Sequence, residues 1–179
     1  HLDGCIRPET NLETMAGLKP AFDTKGVVTA GTSSPLTDGA SAVIVCSEDY
    51  AKSNNLEIMA YIRGMAISGC NPEIMGIGPV VSSIKALKRA GLDLKDIDII
   101  EMNEAFAAVV LRFMDVLKID HSKVNVNGGA IALGHPLGAT GAIILGTVLD
   151  ELERRDLSTG LITLCVGAGM GTATIIERI

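Results

Sequence analysis

The stretch from Val124 to Ala142, VNVNGGAIALGHPLGATGA, constrains the fold more than any other part of the chain. Gly128, Gly129, Gly134 and Gly138 let backbone approach backbone or a ligand with no Cβ in the way. His135 is the only titratable side chain among them, and Pro136 suits the first turn of a helix, where its missing N–H is not needed. A helical apolar face follows through Leu137, Gly141, Ile144, Leu145, Val148, Leu149 and Leu152, and ELERR closes it as a solvated end. A glycine-rich turn entering a helix exposes N–H donors and the positive end of a dipole, which favour a thiolate, an enolate or a phosphate nearby. The same residues are also compatible with a tight structural turn whose histidine is merely hydrogen-bonded.

The remaining elements read as α/β. Glu57 to Ser68 is a strand with Gly64 as a bulge, and Gly69 to Pro79 is a loop. Val80 to Ala90 is a helix with Ile84, Leu87 and the stem of Lys88 on one side, stopped by Gly91. Ile97 to Met102 is a buried strand that feeds a helix whose core face is Phe106, Val109, Val110, Phe113, Met114 and Leu117. Gly160 to Val166 is an apolar strand, Gly167 to Gly169 a tight turn, and Thr172 to Ile176 its antiparallel neighbour. Upstream, Val27 to Ala30 is extended, Gly31 to Asp38 is a small-residue loop, and Ala42 to Cys46 is an apolar strand with Cys46 as a buried thiol. Ser47 then caps a helix, and Thr10 or Asn11 caps a short one through Met15 to Leu18. Aromatic residues are only 3% of the chain and Trp is absent, so the core is aliphatic, which suits layered helices and sheet.

Several side chains stand where strands end. Asn103 and Glu104 sit between a strand and a helix, at the kind of edge where open α/β sheets place ligands, although Asn103 could also be a plain helix cap. Cys165 ends a buried strand before a glycine turn, whose N–H groups can hold an oxyanion, while an inert core thiol is the simpler alternative. Ser33 and Ser34 offer hydroxyls from a loop, and Met75 lies in a glycine loop where it lines a pocket or fills a core gap. If the ends share one edge, an amide, an imidazole and a thiol converge to polarise a thioester carbonyl and move a proton from carbon.

Composition excludes other classes. The net charge is −6 with scattered basic residues, which is no footprint for nucleic acid. Cys5, Cys46, Cys70 and Cys165 lack metal-like spacing, so no metal is expected and a reducing compartment is. No apolar run has the length of a membrane span and no signal-peptide pattern opens the chain.

NEAF at 103 to 106, GHPLGATG at 134 to 141 and CVGAGM at 165 to 170, in that order, together with TAGTSSPLTDGA at 29 to 40, strongly resemble the C-terminal half of a thiolase. That family makes or cleaves 3-ketoacyl-CoA, and the likeness covers essentially the whole chain. It implies the thiolase fold, a five-stranded mixed sheet with helices on both faces. It also implies residues 1–34 as the end of a loop domain, 35–58 as the last strand and helix of the N-terminal half, and 59–179 as the C-terminal domain. By the same resemblance Cys165 is the acid/base cysteine, His135 activates the nucleophilic cysteine and helps bind the thioester oxygen, and Asn103 holds a water of that oxyanion hole. The Gly167 amide contributes to a second hole, and Ser34, Met75 and Phe106 line the pantetheine and acyl path. Coenzyme A thioesters are then substrates, with no permanently bound cofactor.

The family's nucleophilic cysteine belongs to the N-terminal half, and Cys5, Cys46 and Cys70 are not credible substitutes. The expectation is therefore a fragment or one chain of a split enzyme, inactive alone, with the opening His1 favouring a fragment. The expected partners are acyl-CoA, CoA and the N-terminal half, in a homodimer or homotetramer. The expected place is the cytoplasm, or mitochondria or peroxisomes in a eukaryote. A ketoacyl synthase shares the architecture but has a histidine where Asn103 stands and lacks Cys165. A non-catalytic nucleotide- or CoA-binding module leaves both residues unexplained.

Overall fold

The computed structural model describes residues 3–179; His1, on which the expectation of a fragment rests, lies outside them. Strands β1 (Ala60–Gly69), β2 (Ile99–Met102), β3 (Thr159–Val166) and β4 (Met170–Arg178) form a mixed sheet in the order β1-β4-β3-β2. The pairs β1/β4 and β3/β4 are antiparallel, and β2/β3 is parallel. The β3–β4 hairpin closes through Ala168 at φ 67° and Gly169 at φ 88°. At Gly169 the Cys70 carbonyl leaves no room for a Cβ, so glycine is required there on two counts.

Ile99 and Ile100, Leu161 and Ile162, and Ile175 and Ile176 are buried in adjacent pairs that face opposite sides of the sheet. Both faces are therefore covered. On one, α3 (Gly78–Ala90) and α4 (Ala107–Leu117) contribute Val80, Ala86, Leu87, Val109, Val110 and Phe113 to a core with Ile100, Leu161 and Ile175. On the other, Val148 and Leu152 of α6 (Thr140–Arg154) pack on Ile99, Ile162 and Ile176.

The fold class agrees with the resemblance, but among the described residues the ladder has four strands rather than five. The fifth position, beside β2, holds one bridge between Ile100 and Val124. Asn125 stops its growth: its φ is 48°, and its side-chain Oδ1, not a backbone carbonyl, accepts the Met102 amide at 2.7 Å.

The bulge falls where the sequence places it, with the β1/β4 register slipping between Ile62 and Gly64. A Cβ on Gly64 would press on the Ala86 carbonyl and Ala90, so the slip also lets α3 lie close to the sheet. That helix starts two residues earlier than expected and ends at Gly91, φ 68°. Its inner side carries Ser82, Ser83, Ala86 and Leu87, whereas Ile84 is 52% exposed, because the small residues set the contact with the sheet. Lys85 Nζ and Arg89 Nη1 donate to the Ile67 and Met65 carbonyls of the edge strand, which would otherwise invite a foreign strand.

Other expectations shift. The loop after β1 contains a 3-10 turn, Pro72–Ile77. The first helix, α1, is Leu12–Ala16, displaced toward Asn11 because that side chain caps it and Thr14 completes a capping box. Ala42 to Cys46 is not a strand, and Cys46 is exposed rather than buried, along with Ile44 and Val45. β-Branched residues form a strand only beside a partner, and no described strand pairs with this segment. Ser47 does cap α2 (Glu48–Ser53), accepting from the Tyr50 amide.

Candidate active site

Because β2 and β3 run parallel, their C-terminal ends lie on one edge of the sheet. Asn103 follows β2 there, and its amide donates to the Thr163 carbonyl at 3.1 Å, two residues before Cys165. Helix α4 begins only at Ala107 with Phe106 in the cap position, so Asn103 is not a helix cap. Its buried carboxamide turns instead to the His135 ring, with Nδ2 3.3 Å from Nε2.

The glycine stretch reaches this edge by being tied down at several points. Glu104 Oε1 accepts from Asn125 Nδ2 at 3.2 Å and Oε2 from the Ile131 amide at 3.2 Å. Asn127 donates to Glu151 of α6, whose carboxylate is also held by Arg154 and Arg155. The His135 amide donates to Thr37 Oγ1 at 3.2 Å and the Pro35 carbonyl at 3.3 Å. Gly134, at φ 95°, has no space for a Cβ against Thr37. A short helix, α5 (Ala130–Leu133), absent from the sequence reading, fills the middle of the stretch. The long helix starts at Thr140, so Pro136 and Leu137 precede it, and the Pro136 carbonyl receives the Thr140 amide at 2.9 Å.

Thr140 is the functional candidate that sequence reasoning missed. Its hydroxyl lies 2.7 Å from His135 Nδ1 and 3.0 Å from the Pro136 carbonyl. The available signal was a hydroxyl five residues after the histidine, at the start of the apolar helix. Burial pushes the His135 ring pKa below its ordinary 6.5, so the imidazole is a neutral base at neutral pH. The Cys165 thiol is pushed up, first by burial and less by the nearby Cys70, so it holds its proton. Cys70 reaches that neighbourhood because its amide donates to the Gly169 carbonyl at 2.7 Å. A neutral acceptor and a protonated thiol thus occupy one edge of the sheet.

The other expected residues fall nearby. The Ser34 amide donates to the Ala105 carbonyl at 3.0 Å, and Ser33 bridges Phe106, so Ser34 and Phe106 come together. Phe106 borders the same core cluster as Cys165 and meets Phe22 edge-to-face, with centroids 6.2 Å apart. Met75 is half-buried in the 3-10 turn, with its carbonyl 3.8 Å from Cys70 Sγ. Gly167 is exposed in the β3–β4 turn with open space around it. Among the described residues, Cys165 makes no side-chain hydrogen bond to His135 or Asn103. A cavity of about 260 Å3 opens beside Asn103 and is lined by Glu101, Asn127, Gly128, Gly129 and Thr140 among others. In it, the carboxyl of Glu101, 3% exposed, is pushed up to about 8 by burial first and then by Glu104 and Glu151.

Residues 56–178 match the family model described as thiolase, C-terminal domain, and residues 1–49 match that of the thiolase N-terminal domain. The chain is 58% identical over 181 aligned residues to a 3-ketoacyl-CoA thiolase of Yersinia enterocolitica, covering 99% of the chain and 47% of that relative. A Vibrio parahaemolyticus 3-ketoacyl-CoA thiolase is 53% identical, with 98% and 46% covered. The chain thus spans about half the length of the curated relatives it matches. Among solved structures, human mitochondrial 3-ketoacyl-CoA thiolase in complex with CoA superposes with a TM-score of 0.96 at 49% identity, covering 100% of this chain and 45% of that one. A Bacillus anthracis acetyl-CoA acetyltransferase gives 0.93 at 46% identity, with 97% and 44% covered. Among the described residues, no helix is long and apolar enough to cross a membrane.

Proposed function

The chain belongs to the thiolase family, and from that premise we propose that it supplies the proton-transfer and oxyanion apparatus of an enzyme that reversibly cleaves or forms 3-ketoacyl-CoA. The observation that carries this reading is the 3.3 Å approach of Asn103 to His135 at the sheet edge where β3 delivers Cys165. His135, neutral and buried, takes the proton of a nucleophilic cysteine contributed by an N-terminal half, and then donates toward the thioester oxygen. Asn103 holds the water that completes this oxyanion hole. Cys165 keeps its proton at rest, as an acid must, and exchanges it with the substrate α-carbon. The Gly167 amide serves the second oxyanion hole, and Ser34, Met75 and Phe106 border the pantetheine and acyl path. Coenzyme A thioesters are its substrates, by analogy with the human relative solved with CoA.

In this reading residues 1–34 end a loop domain, 35–58 complete the N-terminal half and 59–179 form the C-terminal domain. The whole enzyme assembles as a homodimer or homotetramer in an aqueous compartment, the cytoplasm or, in a eukaryote, mitochondria or peroxisomes. The test supplies the chain together with an N-terminal thiolase half and adds acetoacetyl-CoA and CoA. Formation of acetyl-CoA is expected. Binding of a nucleotide with no thiolysis would instead make the chain a non-catalytic module.

A further inference from the structure

We propose that Thr140 is a positioning residue that holds His135 in the Nδ1–H tautomer, so that the Nε2 lone pair faces Asn103. With the Asn103 carboxamide oriented as it is, the hydrogen-bond directions at the two ends of the ring agree on it. Asn103 Nδ2 can only donate, so Nε2, 3.3 Å away, accepts and carries no proton. The neutral ring then has its proton on Nδ1, and Nδ1 donates to Thr140 Oγ1 at 2.7 Å. The Thr140 hydroxyl proton must go elsewhere, and the Pro136 carbonyl, an obligate acceptor that also receives the Ala139 and Thr140 amides, stands at 3.0 Å. The relay therefore runs from Asn103 through the imidazole and the hydroxyl to a main-chain oxygen.

Nothing at the Asn103 end can enforce this direction alone. Turned over, the carboxamide would offer Oδ1 to a proton on Nε2, and buried Oδ1 has no protein partner that resists the turn. Thr140, by contrast, is 3% exposed, so bulk water does not readily replace its hydroxyl. Its backbone is the first residue of α6, which fixes the hydroxyl relative to Pro136. The consequence for catalysis rests on the thiolase reading: an unprotonated Nε2 is the atom that can receive a nucleophile's proton.

Nitrogen-15 spectra of labelled histidine decide the matter on the chain itself, because protonated and bare ring nitrogens of a neutral imidazole resonate far apart. The His135 signals are assigned by their loss in His135→Asn. Wild type and Thr140→Ser should both show Nδ1–H, and Thr140→Val should show Nε2–H or a mixture. An Nε2–H ring in wild type, or an unchanged tautomer in the valine variant, overturns the proposal; Thr140→Ala replaces valine if that variant does not fold. In the complete enzyme Thr140→Val should slow acylation by about tenfold to a hundredfold, the loss expected for one hydrogen bond to an ionising group, and Thr140→Ser should restore most of it. If none of the three transfers an acyl group, the thiolase reading fails, while the spectra still decide the role of Thr140.

Discussion

Glu104 Oε2 accepts the Ile131 amide at 3.2 Å, so the first turn after β2 grips the glycine stretch that presents His135. The grip depends on Gly129, where a Cβ would overlap the Glu104 carboxylate. Gly129→Ala must displace that carboxylate from Ile131 and from Asn125, leaving partly buried donors unmet. Urea unfolding should report a loss of about 1–3 kcal/mol. Gly138→Ala, in open space nine residues on, should stay within about 0.5 kcal/mol of wild type. Equal effects of the two changes would show that Glu104 has room to move aside.

Glu101 gives a prediction with a pH signature. Its pKa is pushed up to about 8 from an ordinary 4.5, so between those values the folded chain holds a proton that the unfolded chain releases. Folding stability therefore falls as pH rises from 4.5 toward 8, by at most about 1.4 kcal/mol per pH unit. Glu101→Gln cannot ionise and escapes this loss. The variant should match wild type near the acid end of that window and become the more stable protein toward its alkaline end, in urea melts across the range. A stability difference independent of pH would mean the carboxyl is ionised in the folded chain.

The histidine carries the opposite sign. Burial lowers its pKa beneath 6.5, so the unfolded chain binds the extra proton first, and the stability this group contributes is lost as pH falls below 6.5. For the complete enzyme, the acylation rate should hold steady as pH drops through 6.5 and decline only at lower pH, where the folded imidazole protonates. A rate–pH profile already halved at 6.5 would indicate an imidazole exposed to water.

Much of this was legible in the sequence wherever a local rule coincided with the tertiary one. Gly64 marks its bulge, Gly91 its helix end, and the apolar run at Leu161–Ile162 its doubly buried strand. Asn103, His135 and Cys165 were visible because each stands at a strand end or in a glycine turn. What stayed hidden was decided by groups distant in the chain. Val43 to Val45 have strand propensity but no described partner strand, and Asn125 keeps the single Ile100–Val124 bridge from growing into a strand by substituting its side chain for the backbone. Thr140 could be assigned only once the His135 ring was in place, since a hydroxyl at a helix start otherwise reads as ordinary polar surface.

Cys165 and His135 answer to different neighbours. The thiol makes no hydrogen bond to the ring among the described residues, and it responds to burial and Cys70, whereas the ring answers to Asn103 and Thr140. Two groups with separate surroundings can serve two separate proton transfers. In the complete enzyme, Cys165→Ala should therefore abolish exchange of substrate α-protons with deuterated solvent while acylation of the nucleophilic cysteine stays measurable. His135→Ala should instead slow acylation itself, by about 100-fold or more, the order expected when a general base is removed. Mass spectrometry of the acyl-enzyme and of deuterium in acetyl-CoA reads the two steps independently. Full α-proton exchange in the Cys165→Ala protein would remove that thiol from the acid/base role, because the proton would then be leaving the α-carbon without it.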